Sequence, residues 1–193
     1  MGWVSIVRPK FSPESHPSAT FYMKTFSLPS KGEYHPYYET YISQLEGQHY
    51  AELIRTQLDE WKQFIASKPA GWDMKAYAPG KWTPKEVLGH LLDTERIMTF
   101  RALCIARGEQ QSLPGYDQDA YVPSGSFNEV PLADLMDDFE AQRMALLSLV
   151  KTLPDTSFAA QGTANGNSTT VRALLWIIPG HFMHHFNVIK QAY

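Results

Sequence analysis

An all-α four-helix bundle is the fold this sequence predicts, and three observations predict it. Four long segments carry apolar residues at three- and four-residue spacing. One of them opens on a complete helix-start signal. No stretch alternates apolar and polar residues convincingly enough to be read as a strand.

The first long helix is expected over about 48–67, where Ile54, Leu58, Trp61 and Ile65 share one face. Lys-Pro-Ala-Gly at 68–71 ends it. The second opens on Thr83-Pro84-Lys85-Glu86. Thr stands at the cap, Glu three residues later, and Pro where its missing N–H costs nothing. It runs to about Arg107, and Gly108 follows where a left-handed residue belongs. The third begins at Pro131 and carries the stripe Leu132, Leu135, Met136, Phe139, Leu146, Leu149 and Leu153 before Pro154 stops it. The fourth begins within Ser168-Thr169-Thr170 and continues to the end of the chain. Pro179 lies inside it and cannot donate to the carbonyl of Leu175, so a kink is expected there.

An aromatic-rich stretch at 35–45 leads into the bundle as a short helix or turn. Two connections are long, 108–130 and 155–168. The first, between the second and third helices, exceeds what a bundle needs and reads as a functional lid. The domain division expected is an irregular N-terminal extension over 1–31 and the bundle over 32–193. Residues 1–22 lack the long apolar run of a signal peptide. They read either as an extension or as sequence upstream of a start at Met23.

Composition excludes several classes. Apolar residues make up 44% and charged residues 19%, the balance of an ordinary globular protein with one core. A net charge of −3 without long runs of one sign leaves no footprint for nucleic acid or an anionic membrane. No apolar run reaches the roughly 18 residues of a membrane span. The lone Cys104 forbids an intrachain disulfide and fits a cytoplasmic location. There is no glycine-rich phosphate loop, no cysteine pair for zinc and no Gly-x-Ser-x-Gly elbow.

The chemistry gathers in Pro-Gly-His-Phe-Met-His-His-Phe, residues 179–186. On a helix, His181 and His185 are neighbours on one face, and Leu174, Ile178 and Val188 turn that face inward. His181 with His184 is the alternative pair. Two imidazoles four residues apart can reach one metal ion, and His90 in Glu-Val-Leu-Gly-His-Leu-Leu-Asp supplies a third inward ring from another helix. Three neutral nitrogens on a divalent ion leave positions open for water or substrate, the layout of a catalytic site. An inward histidine taken alone is more often a hydrogen-bonded core residue than a ligand.

Other groups nearby carry two readings each. Glu86 is a ligand or base, or only the partner in the capping box. Asp93 orients an imidazole or accepts a proton, or is an exposed helix residue. Glu95 and Arg96 read as a surface or inter-helix pair. Asp117 and Asp119 face the metal from the lid, or cap turn backbone. Tyr77 and Trp82 line a substrate pocket or plug the bundle end. Cys104, on an apolar stretch well past His90, reads as an inert core thiol.

Four ordered motifs carry a resemblance: Tyr-Ala-Pro-Gly-Lys-Trp-Thr-Pro-Lys-Glu-Val-Leu-Gly-His-Leu-Leu-Asp-Thr-Glu-Arg (77–96), Arg-Ala-Leu-Cys-Ile-Ala-Arg-Gly (101–108), Leu-Pro-Gly-Tyr-Asp-Gln-Asp-Ala-Tyr-Val (113–122) and Gly-His-Phe-Met-His-His-Phe (180–186). From about residue 32 to the C-terminus the chain resembles the DinB-like superfamily. The resemblance implies a four-helix bundle and a divalent metal held by one His of the second helix and a His-x-x-x-His pair of the last, here His90, His181 and His185. Pro179 departs from the family pattern, where a helix former is expected.

Some members of that family join a low-molecular-weight thiol to an electrophile. The resemblance therefore implies a metal-dependent S-transferase with a small thiol and an electrophile as partners. A metal-dependent hydrolase and a non-catalytic metal-binding stress-response protein are the alternatives. Zinc or nickel leads as the ion, with iron or manganese behind. Pairing of two copies into a homodimer is a further expectation, and relatives often dimerise.

Overall fold

The computed structural model describes residues 24–193. The assignment of residues 1–22, and of a start at Met23, lies outside the described residues. After an irregular stretch over 24–35, a 3-10 turn (Pro36–Tyr38), a single-turn helix α1 (Glu39–Ile42) and a second 3-10 turn (Ser43–Leu45) lead into the bundle. The long helices are α2 (Tyr50–Ala66), α3 (Pro84–Ala106), α5 (Leu132–Thr152) and α6 (Val171–Ala192), with a short α4 (Gln118–Gly125) between α3 and α5.

The expected start signals form as read. Thr83 Oγ1 accepts from Glu86 N at 3.2 Å, and Glu86 Oε2 accepts from Thr83 N at 2.7 Å, a closed capping box. Thr170 caps α6 by accepting from Ala173 N. Pro179 sits within a helix that continues to Ala192, and Gln57 Nε2 donates to the Pro179 carbonyl at 2.8 Å.

The order of the helices around the bundle is not sequential. α3 packs on α5 and α6, and α2 packs on α5 and α6. The consecutive helices α2 and α3 are therefore diagonal, as are α5 and α6. In a simple up-and-down bundle consecutive helices are neighbours. The diagonal arrangement makes α3 and α6, far apart in sequence, the largest helix interface of the fold. It is the interface that brings His90 to the His181–His185 pair.

One expectation is corrected. Residues 155–170 hold two strands as well as a 3-10 turn: β1 (Gln161–Ala164) pairs antiparallel with β2 (Asn167–Thr170). Asn165 and Gly166, with φ of 51° and 72°, form the two-residue turn. Asn-Gly is the dipeptide that favours such a turn, because both residues need positive φ. The hairpin also ties down the 108–130 connection: Leu113 N donates to Thr163 O and Asn165 N to Leu113 O, both at 2.9 Å.

The centre of the bundle is crossed by a polar chain that touches all four long helices. Glu95 of α3 pairs with Arg143 Nε of α5 at 2.9 Å. Arg143 Nη1 donates to Gln57 Oε1 of α2 at 2.9 Å, and Gln57 reaches Pro179 of α6. Glu95 and Arg143 are 4% and 1% exposed, so this is a desolvated ion pair. Burial pushes the Glu95 carboxyl up and Arg143 opposes that shift. Glu95 and Arg96 thus each reach α5 separately: Arg96 is exposed and bonds both oxygens of Asp138 at 2.6 and 2.7 Å.

Removing one member of a buried pair leaves an uncompensated charge, at a cost of about 3–5 kcal/mol. Arg143→Met is expected to lose about that much stability in urea unfolding. The double variant Glu95→Met/Arg143→Met should recover most of it. A single variant as stable as the native chain would refute the role given to this pair.

Candidate metal centre

His90 lies two turns into α3 and His181 and His185 lie in the second half of α6. A glycine precedes the first ligand position on each helix, and each lets a neighbour close over the site. A side chain at Gly180 would meet the Tyr41 carbonyl at 2.5 Å, so α1 rests directly on α6 backbone. A side chain at Gly89 would run into the Phe127 ring. These contacts bury His90 and His181 to 2% and 6% exposure.

The three rings converge. His181 Nε2 is 3.0 Å from His90 Nε2 and 3.0 Å from His185 Nε2, and one nitrogen from each ring lies within 4.8 Å of the others. Nitrogens bound to one ion at about 2.1 Å and subtending 90–109° sit about 3.0–3.4 Å apart, and the two separations from His181 Nε2 fall in that range. The donor chemistry fits as well. A neutral ring nitrogen either donates one proton or offers one lone pair, never both. Hydrogen bonding alone would require His181 Nε2, with a single proton or a single lone pair, to serve both partners. A cation takes one lone pair from each ring.

Burial holds all three imidazoles neutral. It pulls His90 down to about 4, and burial together with His90 and His184 pulls His185 down to about 3. His181 is driven well below its ordinary 6.5 by burial and by the neighbouring rings. Neutral imidazole is the form that binds a metal.

The remaining sequence candidates divide. His184 is exposed on α6, its ring 5.1 Å from His185 and 5.3 Å from Tyr41, outside the converging set. Glu86 is committed to the capping box. Asp93 is half-buried one turn beyond His90, with its carboxylate 3.9 Å from Arg96. Burial pushes it up. Asp117 Oδ1 caps α4, accepting from Asp119 N at 2.9 Å and Ala120 N at 3.4 Å. Cys104 is 14 residues beyond His90, about 21 Å along α3.

Two clefts reach the triad. One, of about 260 Å³, is lined by His181, Tyr41, Thr94, Arg101, Tyr116 and Asp117 among others. The other, of about 340 Å³, is lined by His184, His185, Tyr77, Trp82, Asp119 and Tyr193. Trp82 also packs on the ring of His90, 5.0 Å between centroids. Tyr77 and Trp82 therefore line a pocket at the triad. Sequence reading missed Tyr41, Thr94, Arg101 and Tyr116. Thr94 Oγ1 donates to the His90 carbonyl at 2.8 Å and meets Tyr116 Oη at 2.6 Å, which joins the lid to the ligand helix. The signal for Thr94 and Arg101 was present: 90, 94, 98 and 101 share one helix face.

The depressed imidazoles give a pH dependence with a definite sign. Between about pH 6.5 and 4 the unfolded chain takes up protons that the folded histidines refuse. Their contribution to stability is present above 6.5 and is lost as pH falls. The thermal midpoint of chelator-treated protein should fall from pH 7 to pH 5, and His90→Gln should fall less steeply. A pH-independent midpoint in the native chain, or equal slopes, would contradict this.

A sequence profile of the DinB superfamily matches residues 52–189. No curated protein matches the chain. Among solved structures, the chain is similar to YfiT from Bacillus subtilis, described as a probable metal-dependent hydrolase with an unusual four-helix bundle topology. The two share 18% sequence identity with a TM-score of 0.67, over 74% of this chain and 83% of that one. At that identity the likeness establishes the fold, and the profile match over most of the chain establishes the family. The chain belongs to the DinB superfamily.

Proposed function

We propose that the protein is a metal-dependent enzyme whose divalent ion is held by His90, His181 and His185. The observation that carries this reading is the convergence of three neutral imidazoles, two buried and one half-buried, at a point reached by two clefts. A divalent ion bound there supplies a Lewis acid that makes a water or a thiol nucleophilic at neutral pH.

The chain's own groups set what such a site acts on. Trp82, packed on His90, and Tyr41, packed on His181, exclude bulk water from two sides. Thr94 and Tyr116 hold the lid over α3. Asp93, one turn beyond His90 on α3, is the candidate proton acceptor, and burial raises its carboxyl. Cys104 is too far along α3 to reach the triad, so the attacking group comes from outside.

Hydrolysis is the first reaction proposed, in keeping with the description of the structural neighbour. The presence of two clefts supports a second reading, S-transfer from a low-molecular-weight thiol to an electrophile. Transfer needs two substrates beside one ion, and hydrolysis needs one. The ion proposed is zinc or nickel, with iron or manganese as alternatives, since three imidazoles accept any of these.

Protein purified without a histidine tag is expected to carry about one metal per chain by mass spectrometry, and His90→Ala and His185→Ala should lose it. The native protein should then turn over either an activated-ester panel or a thiol with an activated aryl halide, and Asp93→Asn should lower that rate by 10²–10⁴-fold. A native chain that takes up no metal after reloading would overturn the enzyme reading. Metal without turnover on either panel would favour the non-catalytic alternative.

A further inference from the structure

Arg143 and Arg172 each hold a carboxylate, Glu95 at 2.9 Å and Glu33 at 2.5 Å. Arg101 does not. It is 4% exposed, yet no carboxylate among the described residues pairs with it. Its Nη2 donates to the Pro114 carbonyl at 2.6 Å and its Nη1 faces Met98 Sδ at 3.7 Å. Its guanidinium carbon stands 6.0 Å from the centre of the Tyr116 ring. A guanidinium removed from water without a counter-charge is costly to keep, and arginine stays protonated at neutral pH. Part of its donor fork has no acceptor in the described chain.

That fork opens on space. Arg101 lines the cleft that ends at His181, and it also lines an adjoining cleft of about 280 Å³ with His35, Asn165 and Ser168. Tyr37, Tyr38 and Asn165 line both, so the two adjoin at Arg101. The acid lining this space, Asp117, uses Oδ1 to cap α4. His90, Thr94, Met98 and Arg101 share one face of α3, which forms a floor running from the metal site to the guanidinium. Eleven residues separate its ends, about 16 Å along the helix axis.

We propose that Arg101 anchors the oxyanion, carboxylate or phosphate, of a small ligand that lies along this face of α3 with its other end at His181. A planar donor fork in an aromatic-lined cleft suits bidentate recognition of such a group. The position of the ligand's far end rests on the metal-dependent reading given above. The contact with Arg101 does not, and metal-free protein tests it separately.

The test is calorimetric titration of metal-free native protein, Arg101→Gln and Arg101→Lys with succinate and, separately, with inorganic phosphate. The native chain should bind at least one of the two anions. Arg101→Gln should bind it at least tenfold more weakly, and Arg101→Lys should fall between, keeping the charge but losing the fork. Preference for succinate assigns a carboxylate ligand, and preference for phosphate a phosphate. The Nε–Hε resonance of Arg101 in native protein should shift with the same saturation, which decides the matter even if Arg101→Gln does not fold. Equal binding by native and Arg101→Gln, or an Arg101 resonance unmoved by both anions, would overturn the proposal. A protein that holds no metal yet binds the anion through Arg101 would overturn the enzyme reading and leave this one standing.

Discussion

The buried guanidinium of Arg143 is the constraint on which the bundle turns. It pairs with Glu95 on α3, donates to Gln57 on α2, and through Gln57 reaches the backbone of α6 at Pro179. Each helix has an apolar stripe, but stripes alone permit sliding and rotation. A chain of directional contacts through the core penalises both, since any shift leaves a desolvated charge without its partner. Pro179 is two residues before His181, and Glu95 is five residues after His90. The network therefore holds the two ligand helices near the level at which their imidazoles meet.

What those helices bring together is a set of rings that have little use for one another. Desolvation keeps all three neutral, and neutral rings aimed at one point crowd their lone pairs and N–H groups. The fold accepts that arrangement at the α3–α6 interface and closes it with Tyr41 above Gly180 and Phe127 above Gly89. The lid is likewise held in place. Leu113 is bonded to the β hairpin, Tyr116 to Thr94, and Asp117 and Asp119 line different clefts. A preorganised, water-poor cluster with two approaches differs from a closed structural metal site in leaving room for reacting groups.

Much of this was legible in the residues. The Thr83–Glu86 box, the apolar stripes and the His181–His185 spacing are local patterns, and local patterns survive into the structure because short-range geometry fixes them. His90 could be matched to the pair because its helix face was also apolar. The partners across helices were not legible. Glu95 and Arg143 meet because α3 and α5 are adjacent and α2 and α3 are diagonal, an order that no single helix encodes. The hairpin was missed for a different reason. Its Asn165-Gly166 turn was visible, but each flanking strand is four residues long and its threonines alternate with few apolar partners. Arg101 lies on the same face of α3 as His90, but that it pairs with no carboxylate among the described residues depends on the packed structure and not on the helix pattern.

The central claim, that three imidazoles from the adjacent helices α3 and α6 share one ion, is tested most directly by anomalous diffraction at the metal edge from crystals of untagged protein. A single peak about 2.1 Å from one nitrogen of each of His90, His181 and His185 is the predicted result. A peak elsewhere, or three rings bonded only to one another and to water in metal-supplemented crystals, would contradict it.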